Sequence, residues 1–154
     1  MITIIEYEDR FQPEFKRLNM EWLEKYGLVE APDLEVLNDP RGQVLDKGGI
    51  ILLAMDDTRV IATAGLKKEK DGQFELVKMS VAPIYRGQGV SKLMMDRCLE
   101  EARNLHASKI ILFSNSQLQP AIRLYEKYGF KQVAVTDTSL LTADIKMELE
   151  LAGE

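Results

Sequence analysis

The sequence is poor in the residues on which several classes of protein depend. Its 154 residues include one cysteine, Cys98, and one histidine, His106, so an internal disulfide and an ordinary His/Cys zinc site are excluded. The longest apolar run, at residues 50–55, is far shorter than the roughly 20 residues that cross a bilayer. The N-terminal residues lack the basic and long apolar parts of a signal peptide. We therefore expect a cytoplasmic protein that needs no membrane and no metal.

The chain also lacks an excess of positive charge. Lys and Arg number 20 against 25 Asp and Glu, which gives a formal net charge of −5 and argues against a nucleic-acid partner. The charge is unevenly distributed. Residues 1–60 hold 7 basic and 13 acidic side chains, whereas residues 67–131 hold 12 basic and 7 acidic ones. The basic stretch therefore suits a small anion, and the acidic first third favours a cationic partner.

What the sequence has is the composition and patterning of a folded domain. Hydrophobic residues make up 45% and charged residues 29%, and no repeat or linker divides the chain, so we place one domain over residues 1–154. Strand patterns occur at residues 2–7, 50–55, 59–67, 74–81, 109–113, 130–135 and 143–149. Helical patterns follow an Asp9–Gln12 capping pair, and also occur at residues 33–37, 90–106 and after Pro120. This order predicts an α/β (α+β) fold in which a mixed sheet of six or seven strands is flanked by about four helices.

The segment Arg-Gly-Gln-Gly-Val-Ser at residues 86–91 lies between a predicted strand and a predicted helix. Amides at a helix N-terminus have no partner within the helix, and the helix dipole makes this end partially positive. Gly87 and Gly89 allow close approach of a ligand to the backbone, so the segment fits a phosphate or pyrophosphate. A plain tight connection between strand and helix explains the glycines equally well. A dinucleotide fingerprint is excluded because Lys92 replaces its third glycine, and no Gly-Lys-Ser/Thr of a P-loop is present.

Two segments together resemble the signatures of a known family. Residues 86–91, after the lead-in Val81-Ala82-Pro83, are similar to the Gln/Arg-x-x-Gly-x-Gly/Ala motif of the GCN5-related N-acetyltransferases (GNAT). Residues 115–130 resemble the second signature of that family. The likeness covers about residues 74–135, and the first seventy residues agree only in the order of elements. Ser91 departs from the motif, which usually has Gly or Ala there, but serine is small enough to preserve backbone approach to the pyrophosphate.

The resemblance implies acetyl-CoA, or another acyl-CoA, as co-substrate. Its pyrophosphate would lie on the amides of the glycine turn, and its pantetheine arm would run in a slot where the strand at 74–81 splays from the strand at 109–113. The coenzyme-binding residues implied in this way are Met79, Ser80, Val81, Arg86, Gly87, Gln88, Gly89, Val90, Ser91 and Asn115. For Asn115, a role as a helix cap or turn residue is an equal alternative.

Glu75 and Tyr125 are the candidate catalytic residues. An alkylammonium has a pKa near 10 and must lose a proton before it attacks, and Glu75 stands where family members carry a glutamate base. Strand alternation predicts that Glu75 shares a face with Val77, Met79 and Val81. The alternative for Glu75 is an exposed charge at a strand end. The family motif puts its usual acid at Tyr125, although the apolar stripe of its helix also explains Tyr125 as a core residue.

Other polar or reactive residues have structural explanations. Cys98 falls within an apolar helical stripe and is interpreted as a small core residue. Tyr128 and Trp22 are interpreted as packing residues, Trp22 either in the core or in a cleft wall. Arg123 and Lys127 lie on the polar side of their helix, where a solvated face is favoured over contact with coenzyme phosphates.

Two functions are compatible with these features. The first is an acyl-CoA-dependent N-acyltransferase that moves acetyl from acetyl-CoA to a primary amine by direct attack. The second is a non-catalytic acyl-CoA-binding sensor or assembly module, which would need neither Glu75 nor Tyr125. The expected acceptor is a small-molecule or peptide amine, and no motif in the sequence identifies it. The acidic first third, which includes Glu21, Glu24 and Glu30, favours a cationic acceptor. The family commonly pairs through exposed strands or loops, so a homodimer is compatible with the resemblance.

Overall fold

Seven strands form one mixed sheet in the computed structural model, which describes residues 1–138 and 140–151. The order across the sheet is β1-β2-β3-β4-β5-β7-β6. Neighbouring strands pair antiparallel except β4 and β5, which pair parallel. The strands are β1 (Ile2–Glu6), β2 (Ile50–Asp56), β3 (Arg59–Lys70), β4 (Gln73–Val81), β5 (Lys109–Ser114), β6 (Lys131–Val133) and β7 (Ile145–Glu150).

Helices cover both faces of this sheet. They are α1 (Gln12–Lys25), α2 (Ala31–Asn38), α3 (Pro40–Gln43), α4 (Val90–Asn104) and α5 (Gln119–Lys127). The predicted α/β class, the mixed sheet and the strand count are confirmed. The described residues contain five α-helices rather than four, because Pro40 starts an additional single turn that Asp39 caps through the Gly42 N–H.

Two apolar clusters lie on opposite faces of the sheet. One packs α1 and α2, through Phe15, Leu18 and Leu37, against β2. The other packs α4 and α5, through Met94 and Ile122 among others, against β3, β4 and β5. Because successive side chains of a strand point to opposite faces, a single strand contributes to both clusters. The sheet therefore lies between two layers of helices.

The start of α1 differs from the sequence prediction. Asp9 does not cap the helix; it lies in a 3₁₀ turn, Asp9–Phe11, and accepts a hydrogen bond of 2.9 Å from Arg41 Nε. Gln12 is the first residue of α1, and its side chain donates to the carbonyl of Leu37 at 2.8 Å. Asp9 thus connects the start of α1 to α3, and Gln12 connects it to α2. The strand predicted at residues 130–135 is shorter in the structure, where β6 spans three residues. The strand predicted at residues 143–149 is shifted, since β7 runs from Ile145 to Glu150.

β4 and β5 separate after three residue pairs. They pair only through Gln73, Phe74 and Glu75 of β4, opposite residues 109–111 of β5. Beyond Glu75 each strand keeps only its other neighbour: β4 continues beside β3, and β5 continues beside β7. The splay that the resemblance implied is therefore present, and it opens the sheet from one face to the other. Among the residues that the structure describes, no helix has the length and apolar character needed to cross a membrane.

Candidate active site

A cleft of about 420 Å³ occupies the gap between β4 and β5. Its walls come from both faces of the sheet: α1 and α2 contribute Trp22 and Asp33 on one side, and α5 contributes Tyr125 on the other. The glycine turn closes one end, and the loop between β6 and β7 contributes Thr142. The splay thus creates one passage that a ligand can enter from two directions.

The glycine turn has the backbone geometry that its sequence predicts. Gly87 and Gly89 adopt φ values of +77° and +80°, a left-handed conformation that other residues adopt at a cost. Gly89 is the N-cap of α4, so the amides that follow it have no partner within the helix. Arg86, Gly87, Val90 and Ser91 line the cleft. The turn therefore presents a partly positive helix end to this cavity.

A β-bulge at Lys78 divides β4 into two halves. Lys78 has a φ of +53°, and the register shifts from Val77 opposite Gly65 to Ser80 opposite Thr63. An extra residue reverses the alternation of faces. Met79 therefore packs with the α4 cluster. The prediction that Glu75 shares a face with Met79 and Val81 was wrong: Glu75 and Val77 precede the bulge and lie on the α1 side.

The bulge also sets the direction of the Lys78–Met79 peptide. The Lys78 carbonyl accepts a hydrogen bond of 2.7 Å from Thr63 Oγ1 on β3. In a trans peptide the following N–H points the opposite way, so the Met79 N–H is directed away from β3. In the part of the chain that the structure describes, no strand pairs with that side of β4 beyond Glu75. The Met79 amide is therefore a backbone donor directed toward the cleft.

A buried network holds this peptide in place. Asn19, which is 0% exposed, donates from Nδ2 to Thr63 Oγ1 at 3.0 Å and accepts from Trp22 Nε1 at 3.1 Å. The chain of bonds therefore runs from the cleft wall on α1 to the carbonyl of the bulge. Asn19 was not among the residues predicted from the sequence, although its place four residues after Phe15, on the buried face of α1, marks a polar group that needs partners.

We expect Thr63→Val to destabilise the protein by about 1–3 kcal/mol, because it leaves the Lys78 carbonyl without its donor and Asn19 Nδ2 with one acceptor, the Phe15 carbonyl, in place of two. Thr63→Ser keeps the hydroxyl and should retain most of the stability. Urea unfolding monitored by circular dichroism measures both variants. Equal stability of Thr63→Val and Thr63→Ser would show that the network contributes nothing.

Glu75 lies half-buried in the cleft wall, on the last residue pair that joins β4 to β5. Burial raises its pKa to about 7, and the nearby Glu69 carboxylate adds to this rise, while Lys67 and Lys78 oppose it. A carboxyl group with a pKa near neutrality exchanges protons readily at physiological pH. The position is therefore not the exposed strand end that was the alternative.

Tyr125 and Tyr128 lie on the same helix in different surroundings. Tyr125 is 8% exposed, it lines the cleft, and burial raises its pKa to about 12. Among the described residues no hydrogen bond contributes to this rise. Tyr128 instead donates to Asp96 Oδ1 at 2.6 Å, which ties α5 to α4. Of these two tyrosines, Tyr125 is the one that lines the described cleft.

The remaining predicted coenzyme residues divide into two groups. Met79 and Val81 line the cleft, and so does Ser80, although the Ser80 hydroxyl donates to the Leu18 carbonyl on α1 at 3.2 Å. Gln88 donates to the Ile84 carbonyl within the turn. Asn115 lines the cleft, but its Nδ2 donates to the Thr142 carbonyl and its Oδ1 accepts from the Gln117 N–H. These bonds favour the turn alternative for Asn115.

The loop after β6 is tied down over the α1 side of the cleft. Glu30 accepts hydrogen bonds from the backbone of Leu141 and from both the backbone and hydroxyl of Thr142, at 2.6–3.0 Å. These bonds hold the pKa of Glu30 below its usual value, against the opposing effect of burial. Asp144 accepts from Ser116 on the other side of the loop. Residues 141–144 are therefore bonded to both sides of the cavity.

A buried ion pair joins Lys78 to Asp33, and the sequence did not predict it. The two side chains are 11% and 5% exposed, and both residues line the cleft. They are 45 positions apart in the sequence, so no local pattern joins them. The only signal is a lysine within an apolar strand segment, between Val77 and Met79.

Cys98 is buried and lies in the core on α4, as expected. Burial raises the pKa of its thiol to about 12. Within residues 1–138 and 140–151, no group of three or more His, Cys, Asp or Glu side chains is arranged to hold a metal ion.

Comparison with known proteins places this geometry in a family. The model of the acetyltransferase (GNAT) family matches residues 8–130. An uncharacterized N-acetyltransferase of Mycobacterium tuberculosis is 35% identical over 105 residues, a match that spans 68% of this chain and 63% of the length of that relative.

Solved structures with low sequence identity share the fold. A GNAT-family acetyltransferase of Staphylococcus aureus superposes with a TM-score of 0.90 at 20% identity, over 99% of this chain and 100% of that one. The PaiA N-acetyltransferase of Thermoplasma acidophilum, solved in complex with coenzyme A, superposes with a TM-score of 0.78 at 19% identity, over 98% and 99% of the two chains. From the family match, the splayed strands and the glycine turn together, this chain belongs to the GNAT acetyltransferase family.

Proposed function

We propose that the protein transfers an acetyl group from acetyl-CoA to a primary amine by direct attack. One observation carries this proposal: the cleft between β4 and β5 brings Glu75, on the α1 side of the sheet, and Tyr125, on the α5 side, to a single passage. An amine and a thioester that enter from opposite faces would meet beside the bulge. A domain that only binds acyl-CoA has no use for this arrangement.

The coenzyme would occupy the α4 end of the passage. Its pyrophosphate would accept hydrogen bonds from the amides of residues 86–91, at the positive end of the α4 dipole. Its pantetheine arm would take the place that β5 leaves open beside Met79 and Val81. The relative from Thermoplasma acidophilum, which has the same fold, was solved in complex with coenzyme A.

The reaction needs no group beyond those in the cleft. Glu75 accepts a proton from the ammonium of the acceptor, and the free amine attacks the thioester carbon. The Met79 N–H stabilises the oxygen as it becomes negative. The new C–N bond forms, the C–S bond breaks, and the thiolate leaves with a hydrogen bond or a proton from Tyr125. The nitrogen loses its second proton as the amide forms. This proton passes to the departing thiolate, or to Tyr125 where Tyr125 has given up its own, and Glu75 releases the first proton to solvent. Because thiols have a pKa near 8.5, the high pKa of Tyr125 favours hydrogen bonding to the thiolate over full proton transfer.

A covalent acyl-enzyme is not part of this proposal. The thiolate is the nucleophilic form of cysteine, and Cys98, with 1% exposure and a pKa raised to about 12, remains a thiol at neutral pH. It is also absent from the residues described as lining the cleft. Direct attack by the acceptor is therefore the mechanism that the site supports.

Release of free thiol from acetyl-CoA tests the function. The purified protein is incubated with acetyl-CoA and a panel of amino acids, amino-acid amides, alkylamines, polyamines and aminoglycosides, and the thiol is followed by its reaction with a chromogenic disulfide. We expect acceptor-dependent release. Micromolar coenzyme A binding, measured by calorimetry, without release for any acceptor would favour the sensor or assembly module instead.

A pair of glycine variants tests where the coenzyme lies. Gly87 and Gly129 both have positive φ, +77° and +95°, and an added Cβ would meet nothing within 4 Å at Gly87 and only a side-chain atom at 3.4 Å at Gly129. Each alanine substitution should cost about 1–2 kcal/mol of stability through backbone strain. We expect Gly87→Ala alone to weaken coenzyme A binding, measured by calorimetry, by at least about tenfold. Equal affinity of the two variants for coenzyme A would show that the coenzyme does not bind at this turn.

A further inference from the structure

The Lys78 side chain occupies a costly position. Its backbone is left-handed, a conformation that is unfavourable for a residue with a Cβ, and its side chain is only 11% exposed. Taking a charge out of water is also unfavourable unless the charge is paired. Strained residues of this kind gather at sites where ligands bind. Packing alone does not account for a lysine at this point of β4.

The hydrogen-bonding capacity of the pair is unequal. Asp33 uses both carboxylate oxygens, since Oδ1 accepts from Lys78 and Oδ2 accepts from the Glu30 N–H at 3.0 Å. An ammonium has three N–H donors, and Asp33 is the one acceptor of the Lys78 ammonium among the residues that the structure describes. The cleft wall thus holds a positively charged ammonium with further N–H donors, beside a carboxylate whose two oxygens already accept hydrogen bonds.

We infer that the acceptor is a free amino acid, which carries a carboxylate close to its amine, and that Lys78 binds this carboxylate. This inference rests on the proposed acetyl transfer. A charge-assisted hydrogen bond to a carboxylate is stronger than one to a neutral oxygen, and Lys78 would supply it on the same side of the sheet as Glu75. The ammonium of the acceptor would then lie toward the two carboxylates of the wall, Glu75 and Asp33.

The charges of the cleft disfavour a polycationic acceptor. A second ammonium would face Lys78, and like charges repel in a partly buried site. The acidic residues of the first third do not offset this, because Glu21, Glu24 and Glu35 are exposed on the outer sides of their helices and are not among the described lining residues. The Glu30 carboxylate already accepts a hydrogen bond from Thr142, in the loop after β6. Of the acidic residues in the first third, only Asp33 lines the described cleft, and it is paired.

Matched acceptors test the inference in the parent protein. Each of the twenty amino acids is compared with its carboxamide and with its decarboxylated amine, and spermidine is included as a polycation. We expect at least one amino acid to have a kcat/KM ten times or more that of its own amide and amine. A better or equal kcat/KM for the amides, the amines or spermidine overturns the inference while it leaves acetyl transfer intact. If none of the tested acceptors gives thiol release, the proposed function and the inference are both contradicted.

Variants of Lys78 assign the preference to this side chain. In Lys78→Met the ratio of kcat/KM for the amino acid to that for its amine should fall at least tenfold, and Lys78→Arg should retain part of it. Because Lys78→Met leaves Asp33 buried without its partner, the double variant Asp33→Asn/Lys78→Met is measured as well. Lys131→Met, on the exposed strand β6, is the control and should keep the parental ratio. If the double variant keeps the parental ratio of kcat/KM for the amino acid to that for its amine, Lys78 does not bind the carboxylate of the acceptor.

Discussion

Glu75→Gln is expected to lower kcat by about 10²-fold or more, the contribution typical of a general base. In the parent, kcat/KM should rise with pH through about 7, because the carboxyl group with its pKa raised to about 7 by burial must lose its proton before it accepts one from the acceptor. The amide of the variant has no proton to lose, so this part of the profile should disappear. Initial rates of thiol release between pH 5.5 and 9 measure both effects.

Two measurements separate this loss from a folding defect. Because the pKa of Glu75 is 4.5 in the unfolded chain and about 7 in the folded one, the parent loses stability as the pH rises from 4.5 through 7. Glu75→Gln should lack this loss, and should be the more stable protein at pH 8. Glu6→Gln, at the exposed end of β1, serves as the matched control with parental activity. A Glu75→Gln protein with full kcat and the parental pH profile would exclude Glu75 as the base.

Tyr125→Phe is the second substitution with a large expected effect. It removes the hydroxyl that faces the cleft and leaves the ring, which packs against Phe130 with a centroid distance of 5.8 Å. We expect kcat to fall by about 10²-fold, with little change in the KM for acetyl-CoA and in stability. Steady-state kinetics and thermal unfolding of the purified variant test this.

Tyr128→Phe is the matched control, and its expected pattern is the reverse. The Tyr128 hydroxyl bonds to Asp96 and not to the cleft, so its loss should cost about 1 kcal/mol of stability and leave kcat unchanged. If Tyr125→Phe turned over at the parental rate, as Tyr128→Phe is expected to do, the leaving thiolate would not need the Tyr125 hydroxyl.

The sequence predicted most elements of the fold because their signals are local. Apolar spacing in α4 and α5, Asp71-Gly72 between β3 and β4, and the glycines of the turn each act within a few residues. The glycine turn and Tyr125 were located for the same reason, together with the family resemblance. The capping role of Asp9 failed because a competing partner, Arg41, lies 32 residues away.

The interior of the site depends on contacts that no local pattern encodes. The bulge at Lys78 reverses strand alternation, yet lysine gives no indication of a positive φ as glycine would. Asn19 meets Thr63 across 44 positions, and Lys78 meets Asp33 across 45. The splay of β4 from β5 came only from the resemblance, since strand pairing is not visible in the pattern of either strand.

A crystal structure of the protein with acetyl-CoA tests the central claim, that the splay between β4 and β5 is the place of acyl transfer. We expect the pyrophosphate on the amides of residues 86–91, the pantetheine beside Met79 and Val81, and the thioester oxygen within about 3 Å of the Met79 nitrogen. A coenzyme bound elsewhere, or a thioester that points away from both Glu75 and Tyr125, would contradict the account.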